Sequence, residues 1–181
     1  MEIATVQKAH WDAVKALYLE AFPKRERKPF FVLRRSVRRG AVQLLTAVEG
    51  ETLLGFAAVI PHRDMVMVDY LAVSGQVRSR GTGSRLMEAV CSRFPGQRVV
   101  LLIERLDDGA ENREQRIARR KFYLKNGFTS SDIFISGTSG EMEIMNYGGR
   151  VSPADYMRLQ KYALGDLFFK LSKIQIVESA G

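Results

Sequence analysis

Cysteine is nearly missing from this sequence. Only Cys91 is present among 181 residues, and one thiol cannot build an internal disulfide framework, which points to a reducing, cytoplasmic setting. Cys91 falls inside a predicted helix and reads as a small core residue. Histidine is almost as scarce. His10 and His62 stand apart, without the spacing of a metal site or the partners of a catalytic triad, so no metal is expected. Long apolar runs are also missing. The longest, such as residues 99–103, are far too short to cross a bilayer. The opening Met-Glu-Ile-Ala-Thr-Val lacks the basic-then-apolar order of a signal peptide, and no membrane partner is expected. No internal repeat, low-complexity tract or linker-like change of composition interrupts the chain.

What the chain has in excess is positive charge, a formal net +8. A basic surface attracts polyanions, whether nucleic acid, acidic lipid or a phosphorylated cofactor. The charge gathers in two clusters, residues 24–39 and 113–125. Two solvated helix faces explain most of it, and a few of these residues are expected to line a site for a phosphate-bearing ligand.

Periodicity and turn chemistry predict strands over 2–6, 41–48, 52–60, 65–73, 99–103, 133–135 and 141–145. Helices are predicted over 10–22, 30–39, 84–94, 112–125, 152–164 and 166–176. Glu49-Gly50-Glu51 marks a hairpin. Ser152-Pro153-Ala154-Asp155 is a helix start, with a serine N-cap, proline in the first turn and an acid near the positive end. The order of elements predicts an α/β (α+β) domain with a central, mixed and mostly antiparallel sheet flanked by helices. Residues 1–150 are expected to form the domain. Residues 151–181 are expected to form a helical extension packed on it.

The strand over 65–73 ends in Val73-Ser74-Gly75-Gln76-Val77-Arg78-Ser79-Arg80-Gly81-Thr82-Gly83-Ser84, and a helix follows. A helix start offers unpaired N–H groups and partial positive charge, and glycines let the backbone approach a phosphate closely. Arg78 and Arg80 add charge, so a pyrophosphate suits this segment. The Gly-Lys-Ser/Thr ending of a Walker motif is missing. A dinucleotide fingerprint fails as well, because Leu86 stands where its third glycine belongs.

Arg78-Ser79-Arg80-Gly81-Thr82-Gly83 resembles the Arg/Gln-x-x-Gly-x-Gly/Ala motif of the GNAT superfamily of N-acetyltransferases. Tyr70-Leu71-Ala72-Val73 resembles that family's fourth strand. Phe122-Tyr123-Leu124-Lys125-Asn126-Gly127-Phe128 resembles its helix-terminal pattern, an aromatic pair followed by x-x-x-Gly-Phe. The resemblance spans roughly residues 1–147 and implies a GNAT-like acyl-CoA N-acyltransferase fold, with acetyl-CoA as co-substrate. It further implies that the backbone of Leu71, Ala72 and Val73 pairs with the pantetheine arm. The amides of Arg78, Ser79, Arg80, Gly81, Thr82, Gly83 and Ser84 would hold the pyrophosphate. Many members carry asparagine where this chain has Arg116. Asn112 is the nearest asparagine, so both are candidates for the pantetheine contact.

The activity implied is direct attack of a primary amine on the thioester, with oxyanion stabilisation and protonation of the leaving thiolate. The resemblance makes Tyr123 the general acid. Helical geometry places Asn112, Arg116, Arg119 and Tyr123 on one polar side, with Ile117, Leu124 and Phe122 supplying the core stripe. Nearby arginines are expected to lower the Tyr123 pKa. Glu104, at the end of an apolar strand, is the candidate base, with a pKa expected to rise through partial burial. A strand-end carboxylate paired with an arginine is the alternative at that position. Asp69 is the second candidate base. Glu26, between two prolines, is a candidate for attracting a cationic amine, with a local ion pair as the alternative.

The acceptor is expected to be a small-molecule or peptide amine, and the protein a monomer or homodimer. Two other readings compete. One is a non-catalytic acyl-CoA sensor of the same fold. The other is a nucleic-acid-binding module using the basic clusters. Nucleic acid is not the expected partner, because zinc spacing, basic–aromatic interleaving on a strand and an obvious recognition helix are all missing.

Overall fold

Strand β1 (Glu2–Thr5) leads to helices α1 (Trp11–Ala21) and α2 (Phe30–Arg38), then to strands β2 (Gln43–Glu49), β3 (Thr52–His62) and β4 (Met65–Val73). Next come α3 (Thr82–Arg93), β5 (Arg98–Glu104), α4 (Arg113–Lys125), β6 (Thr129–Gly137) and β7 (Gly140–Tyr147). The chain ends with α5 (Pro153–Leu164), α6 (Asp166–Ser172) and β8 (Gln175–Ser179). This is a computed structural model, and it describes residues 1–24, 26–77, 81–138 and 140–179. The mixed sheet flanked by helices matches the class expected from sequence. Two units divide the chain, Met1–Pro61 with Val68–Pro95 and His62–Met67 with Gly96–Gly181.

In the first unit the strand order is β1-β2-β3-β4. β1 and β2 pair antiparallel from Glu2–Val48 to Thr5–Leu45. β2 and β3 pair antiparallel with a bulge at Ala47/Val48. Helix α1 buries Val14, Leu17 and Tyr18, the i, i+3, i+4 face of a helix. Leu19 is exposed, and its neighbour Tyr18 is the side chain that enters the core. The Tyr18 ring lies edge-on to Tyr70 at 4.9 Å and near Phe30 at 5.7 Å. Leu86 and Val90 of α3, with Phe94, form a buried i, i+4, i+8 stripe.

Gly55 of β3 is required by close approach rather than by a turn. A Cβ there would lie 2.6 Å from the Ala72 carbonyl oxygen and 3.2 Å from Leu86 Cδ1. The first contact is with backbone, which cannot rotate aside. Gly55→Ala is therefore expected to displace β4 at Ala72 and to cost roughly 1–3 kcal/mol, the range for an overpacked core. Urea denaturation checks this, and a wild-type midpoint would show that β4 yields freely.

In the second unit residues 65–67 of β4 pair in parallel with 98–100 of β5. The order continues β5-β7-β6-β8, and these pairings are antiparallel. Val99, Val100, Leu101 and Ile103 of β5 are buried, as befits a strand covered on both faces. Arg98 bonds to Asp64, to Asp155 at 2.9 Å and to the Arg150 carbonyl at 3.0 Å, fixing the start of α5. Helix α5 starts as its sequence requires, with the Ser152 hydroxyl accepting the Asp155 N–H at 3.1 Å.

The predicted helix over 166–176 is corrected. Lys173 adopts φ 51 and ends α6, and residues 175–179 form a strand on the edge of β6. Ile176 and Val177 are β-branched, and Ile176 pairs with Ile135. No helix among the described residues is long and apolar enough to cross a membrane.

Candidate functional site

The residues singled out in sequence fall into two groups, one in each unit. In the first unit α3 opens at Gly81, which has φ 80 and ψ 2 and so adopts a left-handed conformation that favours glycine. No side chain caps this helix. Its first-turn N–H groups, including those of Thr82, Gly83 and Ser84, are therefore left without a side-chain cap at the positive end of the helix dipole. Thr82 is buried and fixes the first turn against the core. This geometry fits a phosphate. Arg78, Ser79 and Arg80 lie outside the described residues.

On β4, Ala72 is buried while Asp69, Leu71 and Val73 are half-buried, the alternation of a strand. Asp69 is ion-paired with Lys28 at 2.9 Å. The Lys28 backbone is gripped by two tyrosines: its N–H donates to Tyr70 Oη at 3.1 Å, and its carbonyl accepts from Tyr18 Oη at 2.9 Å. Burial pushes both phenols above their ordinary range, so both stay protonated. These contacts tie the α1–α2 connection to β4. Glu26 is exposed in that connection, and its N–H donates to the Pro23 carbonyl at 2.9 Å.

In the second unit one carboxylate organises the other group. Glu104, at the end of β5, accepts from Asn112 Nδ2 at 2.9 Å and from Arg119 Nη1 at 2.6 Å. Arg116 donates to Asn112 Oδ1 at 2.8 Å and to the Arg105 carbonyl at 2.8 Å. The structure thus unites Glu104, Asn112, Arg116 and Arg119. Asn112 and Arg116 spend polar atoms on this cluster. The expected rise in the Glu104 pKa is corrected. Burial does push it up, but the Asn112 hydrogen bond and the Arg119 and Arg116 charges outweigh burial and hold it below its ordinary value.

Tyr123 also differs from expectation. It is the buried residue of α4, at 8 % exposure, whereas Leu124 is exposed and Ile117 and Phe122 are half-buried. The cause is the helix end. Phe128 N–H donates to the Tyr123 carbonyl at 3.1 Å and Gly127 N–H to the Leu124 carbonyl at 3.1 Å. Gly127 has φ 83. This is a Schellman stop, whose usual apolar contact joins the residues at its two ends. Here that contact is Tyr123 on Phe128, with ring centroids 5.7 Å apart. The aromatic-x-x-x-Gly-Phe pattern is therefore a helix stop that draws Tyr123 inward. Burial pushes the Tyr123 phenol up to about 12, and Arg119 offsets only part of that rise. The lowering expected from the arginines does not prevail.

Sequence reasoning missed two features. One is Gly55. The other is the pair Arg120–Glu143, where Arg120 Nε donates to Glu143 Oε2 at 2.9 Å and Nη2 to Oε1 at 3.1 Å. Glu143 is buried in β7. A carboxylate between Met142 and Ile144 was the available signal. Cys91 is half-buried, and burial pushes its thiol up to about 11, leaving it unreactive at neutral pH. His62 stacks on Tyr162 at 4.0 Å. Among the described residues no group of three or more His, Cys, Asp or Glu is placed to hold a metal ion.

No curated protein gives a significant sequence match. Among solved structures, one neighbour is a putative GNAT-family acetyltransferase from Bacteroides thetaiotaomicron. Its TM-score is 0.74 at 20 % identity, covering 93 % of this chain and 99 % of that one. An aminoglycoside 6′-N-acetyltransferase complexed with coenzyme A has a TM-score of 0.66 at 17 % identity, covering 81 % and 96 %. The ribosomal-protein-S18-alanine N-acetyltransferase from Escherichia coli has a TM-score of 0.61 at 17 % identity, covering 83 % and 95 %. At such identities the likeness establishes the fold. The family itself rests on sequence: the acetyltransferase (GNAT) domain model matches residues 40–130, half of the chain, and the protein belongs to the GNAT acetyltransferase family.

Proposed function

We propose that this protein transfers the acetyl group of acetyl-CoA to a primary amine by direct attack. The observation that carries this reading is the family match over residues 40–130, which takes in both the Gly81 helix start and the Tyr123–Phe128 helix stop. Similar folds described with coenzyme A or acetyl-CoA support it. The open first turn of α3 holds the pyrophosphate, assisted by Arg78 and Arg80. The backbone of Leu71, Ala72 and Val73 takes the pantetheine arm.

Acetyl transfer forms a C–N bond and breaks the C–S bond, and the departing thiolate needs a proton. Tyr123 supplies it. Its elevated pKa keeps the proton in place throughout the neutral range. Glu104 is ion-paired with Arg119 and held below its ordinary pKa, and the Asp69 carboxylate is occupied by Lys28. We assign the amine proton to solvent, with the amine reacting in its neutral form. Glu104 then serves to hold Asn112, Arg116 and Arg119 in place.

A second reading, a non-catalytic acyl-CoA sensor, draws on the same engagement of Glu104 and burial of Tyr123. Two measurements separate them. Acetyl-CoA at a hundred times its Kd is expected to stabilise the protein by about 2.7 kcal/mol, a Tm rise of roughly 5–10 °C for a chain of this size. A thiol-release assay across simple amines, polyamines, aminoglycosides and peptide N-termini then reports turnover. A thermal shift without release from any amine leaves the sensor, and no shift removes both readings.

A further inference from the structure

The two basic clusters look alike in sequence and differ in the structure. On α4, Arg113 pairs with Asp108 and Glu114, Arg116 and Arg119 with Glu104, and Arg120 with Glu143. Those four arginines are paired within the fold, whereas Lys121 and Lys125 of the same helix are exposed. At α2, by contrast, Arg34, Arg35, Arg38 and Arg39 are all exposed. None has an ion-pair partner among the described residues. Residues 24–39 contain eight basic side chains and one acid, which leaves this stretch with seven of the chain's eight net positive charges.

Helical geometry concentrates them further. At about 100° per residue, Phe31, Arg34, Arg35 and Arg38 fall within an arc of roughly 100°, with Arg39 at its border. Leu33, on the opposite side, is the buried residue of the helix. Phe31 lies inside the arginine arc and is 72 % exposed. A single exposed apolar side chain is ordinary. Here it is a bare aromatic ring among four guanidinium groups without ion-pair partners, of which Arg34 also lies over the Trp11 ring at 5.5 Å.

We propose that the outer face of α2 binds single-stranded nucleic acid. Guanidinium forks match phosphate oxygens and remain charged at any physiological pH. A bare aromatic ring gives one base a stacking platform. The alternative partner, an acidic amphipathic peptide, needs several apolar anchors in a row, and Phe31 is the one exposed apolar residue on this face among the described residues. The helix spans nine residues, about 14 Å, so the contact covers a few nucleotides. Nothing in this inference depends on acetyl transfer.

The test is fluorescence anisotropy with a labelled 12-nucleotide oligouridine, without acetyl-CoA, as salt is raised from about 50 to 200 mM. Four phosphate contacts predict a slope of about −3 in log Kobs against log salt, at about −0.7 per contact on a single strand. Arg34→Gln with Arg38→Gln is expected to halve that slope. Phe31→Ala is expected to weaken binding about tenfold and leave the slope unchanged, because stacking displaces no counterions. All three positions are exposed, and circular dichroism confirms that the variants fold. Salt-independent binding, indifference to Phe31→Ala, or equally tight binding of oligoglutamate overturns the proposal.

Discussion

Tyr123→Phe is expected to lower kcat by about a hundredfold or more, the usual contribution of a positioned general acid, while the Kd for acetyl-CoA stays near the wild-type value. The ring remains, so the contact with Phe128 and the helix stop are preserved and the melting temperature should hardly move. A kcat within about threefold of wild type would remove Tyr123 from the proton-donor role. The pH dependence adds a second check. The phenol is pushed up to about 12 in the folded protein against 10.0 for a solvated tyrosine, so turnover shows no alkaline fall from Tyr123 between about pH 7 and 10. Stability behaves differently. A folded pKa above the unfolded one gives a contribution that is complete below the unfolded value and is lost as pH rises through the folded one. Tyr18, Tyr70 and Tyr156 are shifted upward as well. Denaturation midpoints should therefore decline once pH passes about 10.

Arg120→Met should be the most destabilising single change outside the apolar core. Its partner Glu143 has a side chain only 3 % exposed, whereas Arg120 itself is 30 % exposed. Removing the arginine leaves a carboxylate buried in β7, between its β5 and β6 neighbours Ile103 and Phe134. Breaking such a pair from one side costs about 3–5 kcal/mol, and the partial exposure of Arg120 favours the lower figure. For a chain of this size about 3 kcal/mol lowers Tm by roughly 6–12 °C. Glu143→Gln should cost less, because the arginine left behind reaches water. Arg120→Met with Glu143→Leu should recover most of the loss, since no charge is stranded. Thermal melts of the three variants decide it. If the single and double variants melt together, the pair contributes packing and not charge compensation.

The parts of the fold and site that were legible in sequence share one property: they are set by residues close together in the chain. Ser152 caps α5 three residues ahead of the N–H it accepts. Gly127 ends α4 through bonds that span Tyr123 to Phe128. Gly81 opens α3 through its own φ. Such signals need no knowledge of what lies across the sheet, so these helix ends and the glycine turn that opens α3 emerged from composition and spacing.

What the tertiary structure decided depends on distant partners. Residues 175–179 are a strand because β6 offers an edge to pair with, and a helix of the same composition had no such neighbour to lose. Gly55 matters only because Ala72 comes close to it. Glu104 was expected to gain basicity from burial, and the Asn112 hydrogen bond together with the Arg119 and Arg116 charges reversed the sign. Tyr123 was expected on a polar face, and its own helix stop buried it against Phe128. The sequence by itself determined a mixed sheet flanked by helices and a glycine-opened helix start, because periodicity and caps are local. Only the tertiary structure decided which charges are spent internally, as on α4, and which stay exposed, as on α2, because pairing a charge depends on what the fold brings beside it.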